Sequence, residues 1–242
     1  MDREVTLSPD NIAILDLGPF TLNATVVYTW IAMAVILLVS WLATRNISSG
    51  PKISRWQNFL EAIVSLMRRQ IREMTGQDPD RYLPFLGTLF LLISVSNLLD
   101  VVPGYTSPMG SLSTTAALAG CVFFAVPVFG IVRRGVLGYL KHYIQPTPFM
   151  APFTIIGEFS RTLALAIRLF GNVMSGTMIV GVLISIVPLF VPVVMQALSL
   201  LIGQIQAYIF AALATIYIAS ATRIQEEVER KASGRKHRRE KE

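Results

Sequence analysis

The longest uncharged stretch of the chain runs from Leu169 to Thr222 and reads LFGNVMSGTMIVGVLISIVPLFVPVVMQALSLLIGQIQAYIFAALATIYIASAT. A membrane-spanning helix needs about 20 apolar residues, so these 54 residues are long enough for two helices. Pro188 and Pro192 lie near the middle of the stretch and predict the break, because proline interrupts helical hydrogen bonding. The stretch therefore predicts two successive helices in a lipid bilayer.

Three shorter uncharged stretches lie upstream and contain 28, 18 and 32 residues, each enough for one helix. The first of these two helices, predicted at residues 151–187, would measure about 55 Å at 1.5 Å per residue, whereas the hydrocarbon core is about 30 Å thick. The last two helices are therefore expected to be long and steeply tilted. The sequence predicts an all-α integral membrane protein with five crossing helices, at residues 24–44, 82–99, 114–132, 151–187 and 193–222.

Composition narrows the class of function. Apolar residues make up 53% of the chain and charged residues 15%, against about 25% charged in soluble domains, which argues against a soluble enzyme. The predicted helices contain no cluster of His, Cys and Asp, so neither a metal nor another cofactor is expected. A secondary transporter stays open as an alternative, but no internal repeat supports it. We treat residues 1–242 as one membrane domain.

A different kind of helix is predicted at residues 55–74. Its apolar residues fall on one face at helical spacing, and its charges lie mostly elsewhere. This pattern is typical of an amphipathic helix lying in the membrane interface. A cytoplasmic helix docked on a partner is the alternative.

The basic residues predict the orientation. Of the 21 Lys and Arg residues, 18 lie in the segment 45–81, after the third crossing, or in the tail 223–242. The positive-inside rule places these segments in the cytoplasm, so the segment 1–23 is expected outside. The tail is expected to be solvated and to touch anionic lipid rather than nucleic acid. The chain is therefore expected in the plasma membrane, or inner membrane, of the cell.

Arg168 is the one basic residue predicted near the middle of a membrane helix, since Arg161 lies near the cytoplasmic start of that helix and can snorkel. A central arginine costs about 2.5–3.5 kcal/mol on insertion scales, so it normally faces water or a carboxylate. Asp100 is predicted at the outer end of its helix, and Glu158 lies ten residues before Arg168. We therefore expect the acid that pairs with Arg168 to belong to another subunit.

Small and polar residues follow one face of each of the last two helices. Such stripes are more often helix-packing seams, but the arginine favours an interface with a partner. The first stripe contains Ser160, Ala164, Arg168, Asn172 and Ser175, and the second contains Gln196, Ser199, Gly203, Gln206 and Phe210. Gly203 would allow a close helix approach.

These residues resemble the a subunit of the membrane sector of F-type ATP synthases. The resemblance rests on LAIRLFGN at residues 165–172, QAYIF at 206–210, NLLD at 97–100 followed by Pro103, and Tyr217. It covers nearly the whole chain, including the interfacial second helix. It implies a non-catalytic stator subunit that works with a ring of c subunits, with peripheral-stalk b subunits and with the rest of the F-type ATP synthase.

The resemblance also implies a mechanism. Arg168 would match the family's essential arginine and would hold a passing c-ring carboxylate in its ionised form. It would also block a direct ion leak between two offset half-channels. Asn172 and Gln206 would lie near it, and these three residues are expected to face the ring. The expected outer half-channel contains Asn97 and Asp100, and the expected inner one contains Glu158 and Ser160. The resemblance implies H⁺ as the ion. Thr177 and Ser199 stand where many family members carry glutamate and histidine, so Na⁺ stays open as the alternative.

Overall fold

The computed structural model describes residues 13–17, 20–45, 55–102, 104–144, 151–184 and 191–239. These residues form six α-helices, preceded by a short antiparallel hairpin of β1 (Ala13–Leu17) and β2 (Phe20–Asn23). Single 3₁₀ turns precede the third and fourth helices, at Pro79–Arg81 and Pro108–Gly110. The helices are α1 (Ala24–Thr44), α2 (Arg55–Thr75), α3 (Leu83–Leu99), α4 (Leu112–Ile144), α5 (Ala151–Ile184) and α6 (Val191–Arg239).

The predicted helical membrane fold is confirmed. Four helices of the described chain, namely α1, α4, α5 and α6, contain segments long and apolar enough to cross a membrane. The fifth predicted crossing corresponds to α3, a shorter apolar helix of 17 residues, about 26 Å long at 1.5 Å per residue. The hairpin before α1 was not predicted, because its few residues carry no distinct alternation.

Two helices continue beyond the crossings predicted for them, and the predicted end of a third crossing lies outside the described residues. α4 continues past residue 132 and bends at Gly135, where a φ of 71° lies in the left-handed region open to glycine. α5 ends at Ile184, and Pro188 lies outside the described residues. The helical backbone of α6 runs from Val191 to Arg239, beyond the predicted crossing at 193–222, so most of the predicted tail is helical. The apolar segment of α6 long enough to cross a membrane is Val193–Ser220.

The prediction that α2 is amphipathic is confirmed. Ile71 is buried, whereas Arg68 and Arg69 are exposed and pair with Asp80 (2.8 Å) and Glu73 (2.9 Å). The helix ends at Gly76, whose backbone N–H donates to the carbonyl of Arg72 (2.8 Å) and whose φ is 67°. The position of α2 at a membrane surface stays a prediction.

The core lies where α3, α4, α5 and α6 meet. α6 contacts α2, α3, α4 and α5, so one side of it is covered by other helices over much of its membrane-spanning length. Ile93, Val122, Leu169, Phe210 and Ile218 are almost fully buried in this core. Because a core of this kind is close-packed, it fixes the rotation of α5 and α6 about their own axes.

Candidate functional site

Arg168 lies on the exposed face of α5. Leu165 and Leu169 point from the same helix into the core and are 1% and 0% exposed, which turns Arg168 away from the chain. Small exposed residues lie one or two turns away on this face, at Ala164, Gly171 and Ser175, and the exposed Arg161 lies two turns before Arg168. A partner helix can therefore approach α5 closely beside the guanidinium.

No carboxylate pairs with Arg168 among the side chains that the structure describes. The ion pairs within this part of the chain join Arg68 to Asp80 and Arg69 to Glu73, both at the end of α2. An arginine in mid-membrane is costly without a counter-charge. The geometry thus agrees with the expectation that the carboxylate pairing with Arg168 belongs to another molecule.

A small polar cleft, which we call the Asp100 cleft, lies between the end of α3 and the facing parts of α5 and α6. It brings together four residues singled out from the sequence, namely Asn97, Asp100, Asn172 and Ser199. Gln196 and Gly203 line it as well, with Val173 and Leu200. Amide, hydroxyl and carboxylate groups therefore meet in one cleft with Asn172, which lies one helix turn after Arg168 on α5.

Hydrogen bonds fix the residues of the Asp100 cleft. The Asn97 Nδ2 donates to the carbonyl of Gly203 (2.9 Å), and the Gln196 Nε2 donates to the carbonyl of Asp100 (3.0 Å). Ser107, in the α3–α4 loop, donates its backbone N–H to the Asp100 Oδ1 (2.9 Å) and its hydroxyl to the Asn97 Oδ1 (3.5 Å). The end of α3 is thus tied both to α6 and to the loop.

Burial raises the pKa of Asp100 above its ordinary value. The hydrogen bond from the Ser107 backbone N–H lowers the pKa, but this effect is smaller than that of burial. Because burial penalises the charged form of a carboxyl group, Asp100 takes up a proton at a higher pH than an exposed aspartate does.

A second cleft, which we call the Glu158 cleft, lies between α4, α5 and α6. Its polar residues are Glu158, Arg161, Thr162, Tyr217 and Ser220, of which Glu158 and Tyr217 were predicted site residues. The guanidinium of Arg161 lies over the ring of Tyr217, 5.8 Å from its centroid, which is cation–π distance. This contact was not predicted, because sequence spacing does not show which residue of α6 faces Arg161.

The two clefts lie far apart along the helices. Ser199 and Tyr217 are 18 residues apart on α6, roughly 27 Å at 1.5 Å per residue. Glu158 and Asn172 are 14 residues apart on α5, roughly 21 Å. Arg168 lies between Glu158 and Asn172 in sequence, on the exposed side of α5.

Comparison with known proteins identifies the family. The family model for the ATP synthase A chain matches residues 26–219. The chain belongs to the ATP synthase A chain family. It is 58% identical to ATP synthase subunit a 2 of Acaryochloris marina over 220 residues, which cover 91% of this chain and 94% of the relative. It is also 58% identical to ATP synthase subunit a of Albidiferax ferrireducens over 217 residues, which cover 90% and 94%.

In this member of the ATP synthase A chain family, Gln206 does not lie on the exposed face of the chain with Arg168, although both were expected to face the ring. Gln206 is 6% exposed, and its Nε2 has no hydrogen-bond partner among the described residues. Gly203 and Phe210 on the same stripe are also buried. The reason is that this side of α6 packs against the neighbouring helices, with Gly203 against Asn97.

Two further predicted residues lie outside both clefts. Ser160 is exposed on α5, and the Thr177 hydroxyl donates to the carbonyl of Met174 in its own helix (2.9 Å). Sequence reasoning missed a reciprocal pair in which the Ser94 hydroxyl donates to the Gln204 Oε1, and the Gln204 Nε2 donates to the Ser94 carbonyl (3.0 Å). A glutamine within an apolar stretch was the available signal.

Proposed function

We propose that this chain is the stator ion-channel subunit of a rotary F-type ATP synthase. It has no catalytic site of its own and passes H⁺ to and from the carboxylates of a c-subunit ring. The observation that carries the proposal is the position of Arg168, exposed and without a carboxylate partner among the described residues, between two separate polar clefts.

Coulomb attraction explains what Arg168 does. A carboxylate 4 Å from the guanidinium gains about 4 kcal/mol at an effective dielectric constant of 20. This energy favours the ionised carboxylate, yet it is small enough for the pair to separate as the ring turns. The same positive charge repels a cation that would otherwise pass directly from one cleft to the other.

Each cleft then serves one side of the membrane. An ion enters through the Asp100 cleft and neutralises a ring carboxylate, which can then move into lipid. After almost one turn of the ring, the ion leaves through the Glu158 cleft. The membrane potential supplies about 2.3 kcal/mol per charge for each 100 mV.

Orientation follows from the basic residues. The positive-inside rule puts the start of α3 and the tail after residue 222 in the cytoplasm. The Asp100 cleft then faces outside, as the N-terminus does, and the Glu158 cleft faces the cytoplasm. The c ring would contact the exposed face of α5, and the peripheral-stalk b subunits would hold the chain against rotation.

Na⁺ is the second candidate for the coupling ion. The Asp100 cleft contains amide and hydroxyl oxygens at Asn97, Asn172, Gln196 and Ser199, and Asp100 is the titratable group among its lining residues. Oxygen ligands suit a hard cation as well as a chain of proton carriers. The same complex should be assayed with H⁺ and Na⁺ separately.

The test is Arg168→Ala in the assembled complex. ATP-driven ion uptake into inverted vesicles should be abolished, while the subunit still assembles. Arg168→Lys should also fail largely, because a lysine can lose its proton when buried. The matched control is Arg72→Ala on α2, an exposed arginine that forms no ion pair within the described chain.

Transport would be followed by quenching of a pH-sensitive dye and, in parallel, by uptake of radioactive Na⁺. Assembly would be checked by native gel electrophoresis. Substantial coupled uptake of either ion by assembled Arg168→Ala complexes would refute the proposed role.

A further inference from the structure

Two glutamines of α6 tie that helix to α3. The Gln196 Nε2 donates to the carbonyl of Asp100 (3.0 Å), and the Gln204 Nε2 donates to the carbonyl of Ser94 (3.0 Å). The two side chains differ at their other polar atom. The Gln204 Oε1 accepts a hydrogen bond from the Ser94 hydroxyl, whereas the Gln196 Oε1 accepts none from the residues that the structure describes. Gln196 therefore has an acceptor oxygen to spare.

The orientation of the Gln196 amide follows from its partner. A backbone carbonyl only accepts hydrogen bonds, so the amide atom that meets the Asp100 carbonyl must be the nitrogen. Asp100 follows the last residue of α3, where backbone carbonyls lack a partner within the helix, and Gln196 supplies that partner. The nitrogen thus holds the amide at the wall of the Asp100 cleft, which Gln196 lines, and the oxygen is the atom left for another ligand.

The Asp100 cleft contains further side-chain oxygens without a partner in the described part of the chain. The Asp100 Oδ1 accepts the Ser107 N–H (2.9 Å), but no such bond reaches the Oδ2. The hydroxyl of Ser199 and the side-chain amide of Asn172 line the same cleft and are likewise unpaired there. None of these atoms is fully buried. The cleft therefore offers several oxygens to a ligand that enters it.

The Asp100 cleft is too narrow for an ion with its full shell of water. Its free volume is about 10 Å³, which is room for about one water molecule. The wall on the side of α5 is also close, since a Cβ atom at Gly176 would lie 3.1 Å from the Ser199 Oγ. A cation that passes here must give up most of its water, and oxygen atoms of the cleft must take the place of that water.

We infer that Gln196 is a specificity-determining residue of the outer ion path, whose amide oxygen replaces a water molecule on a cation that enters the Asp100 cleft. The inference rests on the proposed function and deepens it. The ligand is a small cation that has shed most of its water, either Na⁺ or hydronium. An amide oxygen can coordinate the first and accept a hydrogen bond from the second. Gln204 has no such role, because both of its polar atoms bind Ser94.

The test compares Gln196→Met, Gln196→Glu and Gln204→Met in the assembled complex. Gln196→Met keeps a long unbranched side chain but removes both the oxygen and the bond to the Asp100 carbonyl. Gln196→Glu keeps an oxygen at the same distance from the backbone and loses the Nε2 donor. Gln204→Met is the matched control, since it removes the equivalent bond between α6 and α3 outside the Asp100 cleft.

Ion flux would be driven from the side of the Asp100 cleft by a fixed membrane potential, with Na⁺ varied at constant pH in one series and pH varied at low, constant Na⁺ in another. The ion whose concentration controls the flux is the one that Gln196 contacts. For that ion, Gln196→Met should raise the concentration that gives half-maximal flux about tenfold, equal to about 1.4 kcal/mol, as expected for one lost bond to a charged ligand. The maximal flux should change little. Neither Gln196→Glu nor Gln204→Met should raise the half-maximal concentration.

An unchanged half-maximal concentration in Gln196→Met would overturn the inference. An equal rise in Gln204→Met would also overturn it, because looser packing of α6 against α3 would then explain the effect. So would an equal rise in Gln196→Glu, because the bond to the Asp100 carbonyl would then be what matters. If Gln196→Met complexes fail to assemble, Gln196→Asn, which withdraws the amide by one carbon, must show the same rise or the inference fails.

Failure of the proposed function is distinguishable, because it would appear as coupled transport by Arg168→Ala complexes. If Arg168→Ala is inactive and Gln196→Met is normal, only the role of Gln196 is refuted.

Discussion

Gly203→Ala tests the contact on which the Asp100 cleft depends. A Cβ atom built at Gly203 would lie 3.0 Å from the Asn97 Nδ2 and 3.1 Å from the Cβ and Cγ of the same residue. Asn97 is 6% exposed. Because its Cβ is fixed to the backbone, α3 and α6 must move apart.

The cost can be worked out from three contributions. Overpacking of a close contact costs about 1–3 kcal/mol. Loss of the hydrogen bond from the Asn97 Nδ2 to the Gly203 carbonyl, 2.9 Å long, adds about 0.5–1.5 kcal/mol. Replacing a helical glycine by alanine returns about 0.5–1 kcal/mol. The expected net loss in the free energy of unfolding is about 2 kcal/mol.

Equilibrium unfolding of the detergent-solubilised chain, followed by far-UV circular dichroism, would measure this loss. The control is Gly181→Ala in α5, where nothing lies within 4 Å of the added Cβ, so the variant should be as stable as the parent or slightly more stable. Asn97→Ala combined with Gly203→Ala should cost less than the sum of the two single changes. Additive losses, or a Gly203→Ala chain as stable as the parent, would contradict the close packing of α6 against α3.

Two other changes test the clefts. Asp100→Asn keeps an acceptor for the Ser107 N–H and should lower the ion flux driven from the outer side. Burial raises the pKa of Asp100 in the folded chain. The parent should therefore lose stability relative to the variant as the pH rises from the ordinary aspartate value through this raised pKa, which pH-dependent unfolding measures. Tyr217→Leu should lose the contact with Arg161, about 0.5–1 kcal/mol, whereas Tyr217→Phe should keep it; equal unfolding free energies of the two variants would exclude a cation–π contribution.

Much of the fold could be predicted from charge spacing. Charged residues are costly in the hydrocarbon core, so their absence marks the helices, and α1 was predicted at the observed residues, 24–44. The break before α6 was predicted from Pro188 and Pro192, although Pro192 lies in the first turn of α6, where proline is tolerated. The continuation of α6 to Arg239 could not be predicted from hydropathy, because a polar helix carries no apolar signal.

The candidate site was predicted in its composition but not in its grouping. Sequence spacing placed Asn97 and Asp100 at one end of α3, and the structure adds that Asn172 and Ser199 line the same cleft. Sequence spacing did not show which of the two stripes faces outward, because α5 and α6 have similar small and polar residues. The stripe of α6 is buried because Gly203 packs closely against Asn97. The stripe of α5 is exposed because Leu165 and Leu169, on the opposite side of that helix, are buried in the core.

Because the polar stripe is buried on α6 and exposed on α5, the two helices have different roles in the proposed mechanism. α6 supplies the inner wall of both clefts, and its buried face ties them to the core through Gly203 and Phe210. α5 carries the charge on its outer face, backed by Leu169, which is fully buried. Because a close-packed core deforms little, the backbone of α5 that carries Arg168 keeps a constant distance from both clefts in the proposed mechanism. A moving carboxylate would therefore meet the same charge at the same depth each time it passed.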